Sequence, residues 1–326
     1  MTSSLRVLLT SIVDYAGLFP PAMLDMRTTL SNWSRDAGGA HAWMLGRLIV
    51  PMARLDEFER HLDQVQPPPP GSEPWRVSAL VGDALDADID RIFDFNRRRC
   101  PEPPSSETRL EAAEDIASEE LTGGVMIDAI EIKTSSGSHI DHAMRIIPEQ
   151  LEAYFEIPVL PAGASPDLRG LVIAMAGTGA RAKIRTGGVT AEAFPAALDV
   201  ARFIVACSSA DVPFKATAGL HHPIRAEYPL TYEPQCPRAT MFGFLNIFLA
   251  AAFVRASRFN ETDAAAILSE TNPKAFAFTE SGVTWRDKHL DLARLARVRE
   301  SFAISFGSCS FSEPVRDLEA MGLLKA

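Results

Sequence analysis

The sequence predicts one α/β domain over residues 1–326, a (β/α)8 barrel of the TIM type with a long insertion after its seventh strand. Two features predict it. Short β-rich runs alternate with longer helical runs, the pattern of a parallel sheet with helical crossovers. Two lysine-bearing strand ends, at Lys183 and Lys215, stand 32 residues apart, the length of one βαβ unit. Neither an internal repeat nor a shift in composition marks a second domain.

Taken in order, the strands read as Arg6–Val13, Leu45–Val50, Arg76–Val81, Ile127–Lys133, Tyr154–Val159, Ala180–Arg185 and Pro213–Thr217. Each is short and carries mainly apolar residues, as a buried parallel strand requires. Arg6–Val13 reads as the first strand because Asp14 ends its apolar run and no small-residue cleavage site follows. Helices are expected at Ala22–Arg35, Leu55–Val65, Asp86–Arg98, Ile140–Gln150, Pro166–Gly177 and Thr190–Ser208. For the eighth strand, Ala275–Thr279 and Ala303–Phe306 compete. The proline-rich stretches QPPPP (66–70) and PEPPSS (101–106) read as solvated connectors. Residues 223–238 follow strand seven, where barrel enzymes keep substrate loops.

Composition narrows the function. A formal net charge of −10 argues against nucleic acid or an anionic membrane as partner, since both need a basic face. Cys100, Cys207, Cys236 and Cys309 show no metal-ligand or redox spacing and are expected as free thiols. The most apolar helix candidate, Met241–Val254, is too short to span a bilayer. The expectation is a cytoplasmic protein acting on a small molecule, with no cofactor and no metal. A homo-oligomer is compatible with a barrel of this size.

The informative segments are AKIRTGG (182–188) and PFKATAGLHHP (213–223). Alternate residues on a strand face opposite sides. With Lys183 and Arg185 pointing into the barrel, Ile184 faces the helices; with Lys215 and Thr217 inward, Phe214 and Ala216 face out. Adjacent strands lie about 4.8 Å apart. Two ammonium groups held that close repel, which is expected to lower the pKa of at least one and make it a nucleophile toward carbonyl carbon. The Gly187-Gly188 turn, running toward a helix capped by Thr190, would expose backbone N–H groups to an anion, with Arg185 as a second grip.

These strand ends resemble those of deoxyribose-phosphate aldolase and its class I aldolase relatives. There a Lys-x-x-Thr-Gly strand end is followed one unit later by Lys-Ala-x-x-Gly. The matching residues are Lys183-Ile184-Arg185-Thr186-Gly187 and Lys215-Ala216-Thr217-Ala218-Gly219. The resemblance implies that Lys183 forms a Schiff base and that Lys215 tunes it. It also offers Asp128 on strand four as a proton relay, but strand parity then turns Glu131 and Lys133 toward the helices. The sequence favours Glu131 and Lys133 inward.

Glu131, Lys133, Glu156 and Asp14 would converge on the same barrel mouth, as acid, base or counter-charge. Of His221 and His222, adjacent and divergent, at most one should reach it. The expected function is a Schiff-base-forming class I aldolase or lyase acting on a small oxo-substrate, phosphorylated or not. Lys183 would attack, Lys215 would depress its pKa, and Glu131 with Lys133 would shuttle protons. Two alternatives stand beside it. One is a metal-dependent enolising barrel with Asp83, Glu131 and Glu156 around a magnesium ion and Lys183 as base. The other is a non-catalytic metabolite-binding barrel. Ser305–Phe311 reads as a phosphate loop or a turn with Ser312 capping the last helix, and Trp285–His289 as an exposed hairpin strand.

Overall fold

The computed structural model of the chain describes residues 1–65, 68, 73–100, 124–159 and 167–325. Along the chain run α1 (Ser3–Leu9), β1 (Val13–Tyr15), α2 (Met26–Ala37), β2 (Leu45–Pro51), α3 (Leu55–Leu62), β3 (Trp75–Leu80), α4 (Leu85–Arg99) and β4 (Val125–Lys133). There follow α5 (Gly137–Met144), β5 (Glu152–Ile157), α6 (Leu168–Met175), β6 (Arg181–Arg185), α7 (Ala197–Ser209) and β7 (Phe214–Thr217). The last third holds β8 (Ala226–Pro229), β9 (Arg238–Met241), α8 (Phe244–Ser257), α9 (Glu261–Leu268), β10 (Phe276–Phe278), β11 (Gly282–Trp285), β12 (Lys288–Asp291), α10 (Leu292–Ser301), β13 (Ala303–Ser308) and α11 (Ser312–Ala320).

Eight strands close a parallel barrel in the order β1-β13-β7-β6-β5-β4-β3-β2. The eighth barrel strand is therefore β13, at Ala303–Ser308. The rival segment enters a separate antiparallel sheet, β10-β11-β12, whose β11-β12 hairpin turns at Arg286 and Asp287 as the alternating charges suggest. The insertion between β7 and β13 supplies that sheet, the β8-β9 hairpin and three helices. Helix α8 is buried from Phe244 to Val254 because α7, α9, α10 and β13 surround it. Among the described residues no helix is long and apolar enough to cross a membrane.

Three expectations need correction. The segment read as the first strand is mostly helix α1: Leu5, Leu8 and Leu9 fall on one helical face and pack on α10, leaving only Val13–Tyr15 for the barrel. The helix expected from Thr190 begins at Ala197; before it lies one short turn at Ala191–Ala193, and among the described residues Thr190 makes no capping hydrogen bond. Ser312 opens α11 rather than capping it, and the Glu313 N–H donates to Ser310 Oγ at 3.2 Å. Residues 101–106, and 66–70 apart from Pro68, lie outside the described residues.

Phe214, predicted to face outward, does so. It stands edge-on to Phe203 of α7 and Phe302, with centroids 5.3 Å apart in both pairs. This packing leaves the inward face of β4 to β7 to charged residues.

Candidate active site at the barrel mouth

Strands β4 to β7 pair in one register that sets Lys133 beside Glu156, Glu156 beside Lys183, and Lys183 beside Lys215. Equivalent positions on adjacent strands share a face, so these four side chains form one row. Barrel strands tilt about 36° to the axis, and the row descends accordingly from rim to interior. Lys133 is exposed, while side-chain exposure falls from 10% at Glu156 to 6% at Lys183 and 1% at Lys215.

Glu131, two residues below Lys133 and fully buried, ties the row together. Its Oε2 lies 2.7 Å from Lys183 Nζ, and its Oε1 contacts Lys215 Nζ while accepting from Ser78 Oγ at 2.9 Å. Lys183 Nζ also meets Glu156 Oε2 at 2.6 Å. Lys215 Nζ donates to Asp14 Oδ2 at 3.0 Å and lies 4.7 Å from the centre of the Tyr154 ring. Asp14 is fixed by Ser305 Oγ at 2.7 Å and the Arg47 N–H at 2.9 Å.

The electrostatics follow from these contacts. Burial would raise the Glu131 pKa, but Lys183 and Lys215 overcome it and hold the carboxyl at about 2. Burial likewise disfavours the Lys215 charge, and Asp14 with Glu131 outweighs it, so its pKa rises. The expected repulsion between the two lysines is answered by the carboxylate between them, and Lys215 is held charged. Burial, with Glu152 adding to it, pushes the Tyr154 phenol up.

Above the row opens a cavity of about 240 Å3. Phe19, Pro20 and Pro21 from the loop after β1, with Ile49 and Leu80, give it an apolar wall; Lys133, Arg185, Gly188, Thr217, His221 and Cys309 complete its rim. Gly188 thus reaches the mouth. Gly187 borders the neighbouring cavity and is tightly packed: a Cβ there would strike the Phe194 ring, and Gly219, at φ +72°, sits against Gly187 Cα. Because the next helix starts at Ala197, the Gly187-Gly188 turn does not open into a helix N-terminus as expected.

The histidines diverge. His221 lines the mouth, while His222 turns away to Asp317, 2.6 Å from Nδ1, and stacks on Tyr228. Around His221 stands a group that sequence reasoning missed. Its Nδ1 is 3.1 Å from Glu313 Oε2 and 3.9 Å from Cys309 Sγ; Tyr232 donates to Glu313 at 2.8 Å. Burial opposes the His221 charge, but Cys309 and Glu313 raise its pKa to about 9. Placing β13 would have revealed Cys309, which directly follows the eighth strand; Glu313 and Tyr232 carry no local signal.

Asp128 belongs to the other end of the barrel. The β3-β4 register passes from Val77↔Ile127 to Ser78↔Ala129, so Asp128 is an extra residue in a bulge. The bulge resets parity, and Asp128 and Glu131 are both buried. Asp128 accepts from Arg47 Nε at 2.7 Å and from Arg76, and Arg47 also donates to Glu152 at 3.0 Å. Three residues of strand separate Asp128 from Glu131, roughly 10 Å. The relay role implied for Asp128 therefore falls away.

Among the described residues no group of three or more His, Cys, Asp or Glu side chains is placed to hold a metal ion. No protein-family model, curated protein or solved structure matches the chain.

Proposed function

We propose that the barrel is a class I, imine-forming carbon–carbon lyase acting on a small oxo-substrate. The observation that carries this reading is the setting of Lys183: two residues from the C-terminal end of barrel strand β6, under an open cavity, between two carboxylates. Lys183 passes a proton to Glu156 and the freed amine attacks the substrate carbonyl. The carbinolamine then loses water, with Glu156 returning its proton to the departing hydroxyl, and the nitrogen is left as an iminium. That cation draws in the electron pair of the bond between the α and β carbons, which becomes the C=C of an enamine, as Glu156 takes the proton of the β-hydroxyl and the β carbon leaves as an aldehyde. Glu131, held ionised between two ammonium groups, balances charge and does not shuttle protons as first expected. Lys215 holds Glu131 in that state.

The test is borohydride trapping with a panel of aldehydes and ketones, followed by peptide mass spectrometry. The expected result is a reduced adduct on Lys183 that is absent from Lys183→Ala. Folded protein that gives no adduct with any carbonyl class would overturn the proposal.

The metal-dependent alternative has one observation in its favour: Asp83, Glu131, Glu156 and Lys183 border one adjoining cavity. Both carboxylate oxygens of Glu131 and one of Glu156 are occupied by ammonium groups, which favours the imine. A chelator-sensitive activity would reverse that preference.

A further inference from the structure

Charge around the mouth does not cancel. Lys183 and Lys215 together face three carboxylates, those of Asp14, Glu131 and Glu156. His221 is matched by Glu313. Lys133 and Arg185 also line the cavity, and among the described residues neither makes an ion pair or a hydrogen bond to a side chain. The inner groups therefore sum to one negative charge, and the two free cations bring the groups of this cavity and their ion-pair partners to one positive charge; Asp83 and Glu192 border the adjoining cavities. An unpaired cation on a surface is ordinary, but two bordering the same cavity form a field that one anion completes.

Their positions say where that anion sits. Lys133 is level with Glu156 and one strand away, and Arg185 stands two residues above Lys183 on β6. A group bridging them spans the rim above β5, one strand from the Lys183 amine. The same two side chains border a second cavity, lined by Ser135, Ser136 and His139 on one side and by Glu192, Phe194 and Pro195 on another, so a ligand held there has room to extend outward.

We infer that the mouth binds a monoanionic carboxylate gripped by Arg185 and Lys133, so that the substrate class is an oxo acid. The second half rests on the imine reading; the carboxylate grip does not. A phosphomonoester fits the site less well. At neutral pH it carries close to two charges, which would overshoot the balance above a row that already holds Glu131 and Glu156. It also seeks converging backbone N–H groups, and the Gly187-Gly188 turn, packed on Phe194 and separated from α7, does not lead into a helix N-terminus. A planar carboxylate needs only the guanidinium fork and one ammonium.

The experiment is titration of the full chain with lactate, which has the carboxylate but no carbonyl to form an imine, against methyl phosphate, followed by protein NMR shifts. Wild type should bind lactate more tightly than methyl phosphate. Arg185→Gln and Lys133→Gln should each weaken lactate about tenfold; both side chains are exposed, and unchanged melting curves would show that the fold is kept. Lactate binding that is absent, or untouched in the double variant, or weaker than methyl phosphate binding, would overturn the inference. Lactate binding with these properties, beside failed borohydride trapping, would remove the imine and leave the carboxylate site standing. Trapping that succeeds equally with neutral ketones and survives Arg185→Gln would do the opposite.

Discussion

Lys183 and Lys215, register partners on β6 and β7, share a single carboxylate: Glu131 turns one oxygen to each ammonium group from beneath the row. A lysine pair of this kind would repel if left alone. Here the repulsion is converted into a bridge, and the inner lysine, Lys215, is held charged by Asp14 as well. The outer lysine faces the cavity and has a second carboxylate, Glu156, within proton-transfer distance. The two lysines are thereby made unequal by position alone.

The bridge can be measured by removing its charge. Glu131→Gln leaves two buried ammonium groups facing a neutral amide, and breaking a buried pair by deleting one partner costs about 3–5 kcal/mol. The variant should lose about that much unfolding free energy, read as a lower urea midpoint. Glu131→Gln combined with Lys215→Met removes one uncompensated charge and should recover part of the loss. A single-variant cost below about 1 kcal/mol, within the range of exposed pairs, would show that the bridge is not an energetic feature of the fold.

Acid should expose the same group. The Glu131 carboxyl is held at about 2 in the folded chain, below its value of about 4.3 in an unfolded chain. The unfolded state therefore binds the proton first, and the contribution of Glu131 is complete above about 4.3 and lost as pH falls toward 2. The integrated effect is about 3 kcal/mol at most. Urea unfolding measured from neutral pH down to pH 3 should show wild type losing its advantage over Glu131→Gln in this window. A constant gap between the two proteins would contradict the assignment.

What was legible in the sequence is what strand parity carries. Lys183, Lys215 and Glu131 could be placed on the inner face because their neighbours Ile184, Phe214 and Ile132 had to be apolar and outward. Parity fails where the backbone adds a residue: the bulge at Asp128 puts two acids of one strand inside, and no composition signal announces a bulge. The first strand was misread because Leu5, Leu8 and Leu9 satisfy both a short apolar strand and one face of a helix, an ambiguity that only packing on α10 resolves. Cys309 with Glu313, His221 and Tyr232 come from three separate segments, and their meeting depends on how the barrel closes.

Gly187 illustrates a different demand, for space. Its Cα lies against Gly219 and the Phe194 ring, which is how the ends of β6 and β7 draw together over the mouth. Gly187→Ala should destabilise the chain by about 1–3 kcal/mol through overpacking. Phe194→Leu, which opens room beside the new methyl group, should reduce the cost of Gly187→Ala when the two are combined. Strict additivity of the two substitutions in thermal melts would mean that the ring is not the obstacle.

At the opposite end of the barrel, Arg299 is buried and, among the described residues, has no carboxylate partner. It donates instead to main-chain carbonyls: Nε to Leu8 at 2.7 Å, Nη2 to Thr10 at 3.0 Å, and Nη1 to Ala303 and to Ile304 at 2.7 Å. Burial lowers its pKa to about 10, so its charge is a cost that the four acceptors offset. These carbonyls belong to the end of α1, the turn into β1, and the start of β13, the two strands whose pairing closes the barrel. Arg299→Met preserves much of the volume but leaves the acceptors unfilled, at about 1–3 kcal/mol for each that water cannot reach. The expected result is a loss of several kcal/mol and faster hydrogen exchange at the Phe306 N–H, which pairs with the Ile12 carbonyl at 2.8 Å. Exchange at that amide unchanged relative to β4, in a destabilised variant, would show that Arg299 supports the helices rather than the seam between the first and last barrel strands.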